Sequence, residues 1–411
     1  MDHDAMLTPE VAASASARTR TGYGRSALAA LMVAHCAGMV DLVALPVWVA
    51  TLIGGMQLDA QHAGALPTLF LAGVVASSAM CSPLLLRLSA RFSARAWVAA
   101  GFALAALAFY NAGAASSYAA MAGLHLLAGL AVGCSLSIAH GTIGRSANPH
   151  RLFAFAGFAL GVFSIAFLGG TPHAVAAYGA RAFFTIVAAV MAVAALISAV
   201  AFPTLRAAQA SAHHAAKTRL AAPVYFAIAG VICMALTQAM IASFVARIGV
   251  ERGFGLEAVT AVLIALGLVN LLPAPLAVLT QRRLNARSVV LVGPLAQSAL
   301  ALTITFGSGF APYAAATAMF PAVMIFCHTY AFGLLARLDS SGRAAAATPA
   351  MVMAGAAAGP LLGGALVKHL GYGSLGCAAL AVSALACLCF ARVPRAIDLT
   401  ANNTSHTKGH A

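Results

Sequence analysis

Apolar stretches of about 19–27 residues recur along the chain, separated by short pieces rich in charge, glycine or proline. The pattern places them at 26–52, 62–86, 96–114, 118–141, 152–171, 180–202, 221–246, 256–280, 288–308, 311–335, 344–367 and 371–391. Roughly 20 residues cross a ~30 Å hydrocarbon layer as a helix. Backbone polar groups in lipid must be satisfied within the segment, which favours helices. Runs such as AWVAAGFALAALAF at 96–109 show no alternation, so strands of a membrane barrel are excluded. The boundary between 288–308 and 311–335 rests on GSGFAP at 307–312. The expected fold is an all-α integral membrane protein, with twelve transmembrane helices in two pseudo-symmetric six-helix bundles.

Composition strengthens this picture. Of 411 residues, 62% are hydrophobic and 8% charged. Soluble domains carry about 25% charged residues, because they must show a surface to water. The net charge of +14 would suit nucleic acid. However, its arginines and lysines sit singly or in small groups between apolar segments and form no basic face. They report topology instead. With the N-terminus in the cytoplasm, 19 of 23 basic residues fall on the cytoplasmic side, leaving Arg181, Arg247, Arg252 and Lys368 outside. That is the positive-inside bias. The expected location is a bacterial inner (plasma) membrane, with both termini cytoplasmic.

The expected organisation is a tail at 1–25, a six-helix half at 26–203, a central cytoplasmic loop at 204–220, a second half at 221–391 and a tail at 392–411. The basic start at Arg18, Arg20 and Arg25 precedes an apolar stretch too long for a cleaved leader. The eight cysteines lie in or beside apolar segments and read as small hydrophobes, with no zinc or disulfide spacing.

The halves echo each other. Arg91-Phe92-Ser93-Ala94-Arg95 follows the second span, and Arg283-Leu284-Asn285-Ala286-Arg287 follows the eighth, 192 residues on. Gly157 and Gly161 precede Gly169-Gly170, as Gly355 and Gly359 precede Gly363-Gly364. Such G-x-x-x-G spacing puts small residues on one helix face and permits close helix approach. Internal repeats of this kind are a transporter device, with the central site at their interface.

Over residues 26–391 the chain resembles the major facilitator superfamily. Arg91 and Arg95 match the family's loop motif G-x-x-x-D-R-x-G-R-R, whose aspartate is absent here. Leu127, Gly129 and Gly133 match R-x-L-x-G-x-x-x-G, with His125 at the arginine position. Gly355, Gly359, Pro360, Gly363 and Gly364 resemble the glycine-proline motif of the drug/metabolite antiporters, here in the eleventh span instead of the fifth. The resemblance implies alternating access, with gating at Arg91, Arg95, Arg283, Arg287, Gly355, Gly359 and Pro360.

Among nine acidic residues, only Asp41 lies mid-membrane. A charged aspartate at a helix centre costs roughly 2.5–3.5 kcal/mol on insertion scales, so it is expected to face the bundle interior or a cavity. There it could exchange protons or hold a cationic solute. The alternative is a carboxylate capped locally near Pro46. His125 in the fourth span is the candidate second member of a proton relay, with a packed histidine as the alternative. His140 reads as a packed histidine, and His35, on another face from Asp41, as packing or a contact to a neighbouring helix. Helical period places Trp48 near the face of Asp41, as a cavity wall or an interfacial anchor. Gln238, Asn270 and His328 are expected solute contacts or, alternatively, glue between helices, since an amide in hydrocarbon needs a partner. Phe163, Phe183 and Phe184 read as lipid-facing or as apolar walls.

The expected function is proton-coupled export of a small amphipathic or cationic compound. Uptake symport of a small metabolite is the alternative, and a membrane receptor or enzyme a third reading. Expected partners are the solute, protons and the lipid bilayer, with no nucleic acid, and the chain acts as a monomer. No cofactor, metal or catalytic constellation is expected, and no phosphate-binding loop is present.

Overall fold

The computed structural model describes residues 23–88, 93–203, 220–339, 344 and 348–394. The central stretch 204–219 and both tails lie outside them. Among the described residues, twelve helical spans follow one another. In the first half they are Arg25–Gly38 with Val40–Gly54, Ala60–Leu88, Ala94–Ala112, Tyr118–Gly144, Pro149–Tyr178 and Arg181–Ala201. In the second half they are Ala222–Glu251, Leu256–Val269 with Pro273–Thr280, Ala286–Phe306, Phe310–Leu338, Thr348–Leu370 and Gly373–Ala391.

Two spans expected to be continuous are interrupted. The first breaks at Met39, not at Pro46. Gly38 is a weak helix former, and a side chain there would strike Leu136 of the fourth span. Close packing thus puts the glycine where the helix yields. The eighth breaks after Asn270, ahead of Pro273, which starts the next helix at a position where proline's missing N–H costs little.

Packing repeats between the halves. The third span lies on the sixth as the ninth lies on the twelfth, and the second on the fourth as the eighth on the tenth. Leu107, Leu196, Leu295 and Leu388 are exposed on the third, sixth, ninth and twelfth spans. These spans form the lipid-facing flanks. The halves meet where the second span packs on the eleventh, the fifth on the eighth, and the first on the seventh. Phe183 and Phe184 are fully buried inside the first half, contrary to a lipid-facing expectation. Helical period reports a face but not what covers it. Among the described residues six cysteines are free, whereas Cys134 is disulfide-bonded, contrary to expectation, since spacing along the chain does not reveal which helices touch.

Candidate functional site

Asp41 occupies the first turn of the helix that resumes after Met39. Unpaired N–H groups gather at such a terminus and favour a negative group. The residue is 1% exposed, and its carboxyl oxygens have no side-chain partner, only the N–H groups of Asp41 and Leu42 nearby without well-formed hydrogen bonds. A carboxyl group so placed must carry a proton or meet a donor or cation. One turn further on, Leu45 packs against Ala239 of the seventh span and Ala356 of the eleventh. Asp41 therefore lies one turn from the contact between the two halves.

Trp48 and His125 come together, but not with Asp41. Their rings stack with centroids 5.5 Å apart. Phe70, Phe109 and Phe183 surround the indole, so four other spans of the first half converge on it. Both residues are fully buried, and Trp48 neither walls an open cavity nor lies in an interfacial belt. His125 Nδ1–H donates to the Met121 carbonyl at 2.7 Å, leaving Nε2 an acceptor without a partner. Seven residues, roughly 10 Å along a helix, separate Trp48 from Asp41.

A pairing that sequence reasoning missed joins the first and fourth spans. His35 Nδ1 and His140 Nε2 lie 2.9 Å apart, so one ring donates to the other. The sequence offers a contact to a neighbouring helix for His35 but does not name His140 as its partner. Only the tertiary contact of two helices 105 positions apart reveals the pair.

The second half gathers amides. Gln297 Nε2 donates to Gln238 Oε1 at 3.3 Å and to the Met234 carbonyl at 3.2 Å. Gln297 Oε1 and the hydroxyl of Thr237 are buried without partners. Asn270 sits at the break in the eighth span, its Oδ1 likewise unpartnered. His328 donates from Nδ1 to the Met324 carbonyl at 3.0 Å and packs on Phe332. Gln238 thus meets Gln297, while Asn270 and His328 make no hydrogen bond to that pair. Asp41 and Gln238 each lie sixteen residues from the start of a 30-residue span, the first span of its half.

The gating candidates divide. Arg91 lies outside the described residues. Arg95 Nε donates to the Phe202 carbonyl at 2.9 Å, at the end of the sixth span. Arg287 Nε and Nη2 each donate at 3.0 Å, to the carbonyls of Val393 and Ala391 at the end of the twelfth. Both neutralise carbonyl ends within their own half. Arg283 is exposed beside a cytoplasmic cavity. Gly355 and Gly359 lie against the backbone of the seventh span, while the Pro360 carbonyl sits where a side chain at Gly64 would be.

That last contact belongs to an outer closure. The Leu361 N–H, which lies next to the proline, donates to Thr68 Oγ1 of the second span at 3.1 Å. Outside the membrane, Asp59 accepts from Lys368 Nζ at 3.2 Å and meets His62 Nδ1 at 2.6 Å. Burial alone would raise the Asp59 carboxyl, but bonds from the His62 N–H and ring and from Lys368 hold it well below the usual carboxylate range. Nearby, Tyr372 donates to Glu251 at 3.1 Å, and Arg247 to the same oxygen at 2.8 Å. Burial and the adjacent Glu251 charge push the Tyr372 phenol up to about 12. An apolar crevice of about 290 Å³ remains between the outer ends of the first, fifth, seventh and eighth spans.

Comparisons with known proteins agree with this architecture. The family model for the Major Facilitator Superfamily matches residues 28–338. No curated protein matches the chain. Among solved structures, the nucleoside transporter NupG is similar with a TM-score of 0.68 at 13% identity, covering 92% of this chain and 98% of that one. A D-xylose-proton symporter gives 0.66 at 16%, covering 89% and 97%. A bacterial homologue of the human lysosomal transporter Spinster, inward-facing and unoccupied, gives 0.61 at 14%, covering 92% and 96%. None of these three is a drug or metabolite antiporter by its description.

Proposed function

The chain belongs to the Major Facilitator Superfamily, a family of transporters and not of enzymes, and on that premise we propose that it takes up a small neutral solute together with protons. The carrying observation is Asp41, a carboxyl group buried without a side-chain partner one turn from the contact between the halves. A proton neutralises it, and its loss leaves a charge that the apolar surroundings resist. Alternating access then couples proton occupancy to the exchange of the halves.

Buried acceptors without partners support a solute class. Gln297 Oε1 and Asn270 Oδ1 are acceptors, as are the Asp41 oxygens when ionised. Unpartnered acceptors suit a solute rich in O–H and N–H donors, such as a sugar or a nucleoside. The descriptions of two structurally similar proteins, a nucleoside transporter and a D-xylose-proton symporter, support that class. No Lys or Arg lies at mid-membrane, which disfavours a strongly anionic solute. The export reading draws only in part on the glycine-proline motif. Gly355, Gly359 and Pro360 are occupied in helix packing, which carries no information about direction.

Reconstituted vesicles test this directly. With acid outside, labelled pentoses, hexoses and nucleosides are offered in turn. At least one is expected to accumulate inside, and to stop accumulating when a protonophore collapses the gradient. Accumulation only under the opposite gradient would contradict symport.

A further inference from the structure

On the arginine-rich side of the second half, a cavity of about 460 Å³ opens between the eighth, ninth and tenth spans. Arg282, Arg283, Arg287 and Arg337 line it, and among the described residues no acidic side chain does. Arg287 is engaged with the carbonyls of the twelfth span. Among the described residues, the other three make no ion pair. Topology accounts for arginines on this side of the membrane. It does not account for their convergence on one cavity. Its buried lining is Ala277, Leu334 and Tyr330. Val278 and Leu284 line the same cavity and stay exposed at its rim.

We propose that this cavity binds the phosphate headgroup of an anionic phospholipid from the cytoplasmic leaflet. Guanidinium groups grip phosphate oxygens in bidentate pairs. Basic pockets between helices on the cytoplasmic side are suited to lipid headgroups. The exposed Val278 and Leu284 offer contact to acyl chains, which a free phosphate lacks. Gly333 lines the cavity too, and a side chain there would enter open space. Gly333→Leu therefore fills the site without removing a charge.

The test reconstitutes the full chain in phosphatidylcholine vesicles containing phosphatidylglycerol and counts retained lipid by native mass spectrometry. The wild type is expected to retain one phosphatidylglycerol. The combined change Arg282→Gln, Arg283→Gln and Arg337→Gln is expected to weaken retention about a hundredfold, from a factor near five for each surface arginine. Gly333→Leu is expected to exclude the lipid with all arginines in place. Arg145→Gln with Arg151→Gln, on the cytoplasmic side of the other half, is expected to change nothing. Undiminished retention in both cavity variants would overturn the proposal. So would equal loss in the control pair, or displacement of the lipid by inorganic phosphate.

Discussion

In the first half, Arg95 holds the carbonyl end of the sixth span, and in the second, Arg287 holds that of the twelfth. At the outer side, Arg181 reaches the Gly113 carbonyl behind the third span, and Arg252 reaches Thr305 at the end of the ninth. Equivalent helix ends are thus neutralised by arginines in both halves, although the outer donors come from different places in the chain. The interiors differ. The first half encloses an aromatic cluster around Trp48 and carries Asp41, while the second carries Gln238, Gln297 and Asn270. Position for position along the leading span, a carboxyl group in one half faces the role of an amide in the other. Duplicated scaffolding can therefore keep its helix ends and divide its chemistry, with the ionisable group on one side and neutral hydrogen bonding on the other.

The largest expected effect separates those two groups. One coupled charge at 100 mV sustains roughly a fiftyfold gradient. Asp41→Asn is expected to collapse gradient-driven accumulation to equilibrium while leaving solute exchange intact. Gln238→Ala is expected to keep coupling and raise the KM about tenfold, the loss of one hydrogen bond. Vesicle uptake and counterflow measure both. If the two variants behave alike, the division between halves is wrong.

Next in size is packing. Trp48→Ala is expected to destabilise the protein by about 3–5 kcal/mol, because it opens a cavity among Phe70, Phe109 and Phe183. Thermal unfolding in detergent reads this. The helix-end arginines come third. Hydrogen bonds from a charged donor contribute about 1.5–3 kcal/mol. Arg287→Ala, which loses two, is expected to lower the midpoint more than Arg95→Ala, which loses one.

The outer pair is smallest. Lys368→Ala is expected to cost at most about 1 kcal/mol, since both partners are more than a third exposed. The Asp59 carboxyl is depressed in the folded protein. Its contribution is present above the unfolded carboxylate value, near 3.9, and fades as pH falls through the lower folded value. Fluorescence distances across the outer face are therefore expected to hold between pH 7 and 5 (roughly the span above that value) and to lengthen only in stronger acid.

The spans were legible because lipid demands long apolar helices, and the two-half layout because a polar stretch at 204–220 separates two sets of six and short motifs recur across it. The echo of Arg95 and Arg287 was legible too, and the structure gives both the same local job. What sequence could not supply was neighbours. Phe183 and Phe184 lie on an apolar face, and apolarity cannot separate lipid from core. His35 and His140 meet only because the first and fourth spans cross. The break at Met39 depends on Leu136 crowding Gly38, whereas Pro46 was the visible signal.

The central claim is that solute and proton enter together through the carboxyl group of the first span. Vesicles loaded with a pH-sensitive dye, with no gradient imposed, receive the transported solute outside. The interior is expected to acidify with the wild type and to stay unchanged with Asp41→Asn. An interior that turns alkaline, or that acidifies equally in the variant, would contradict the account.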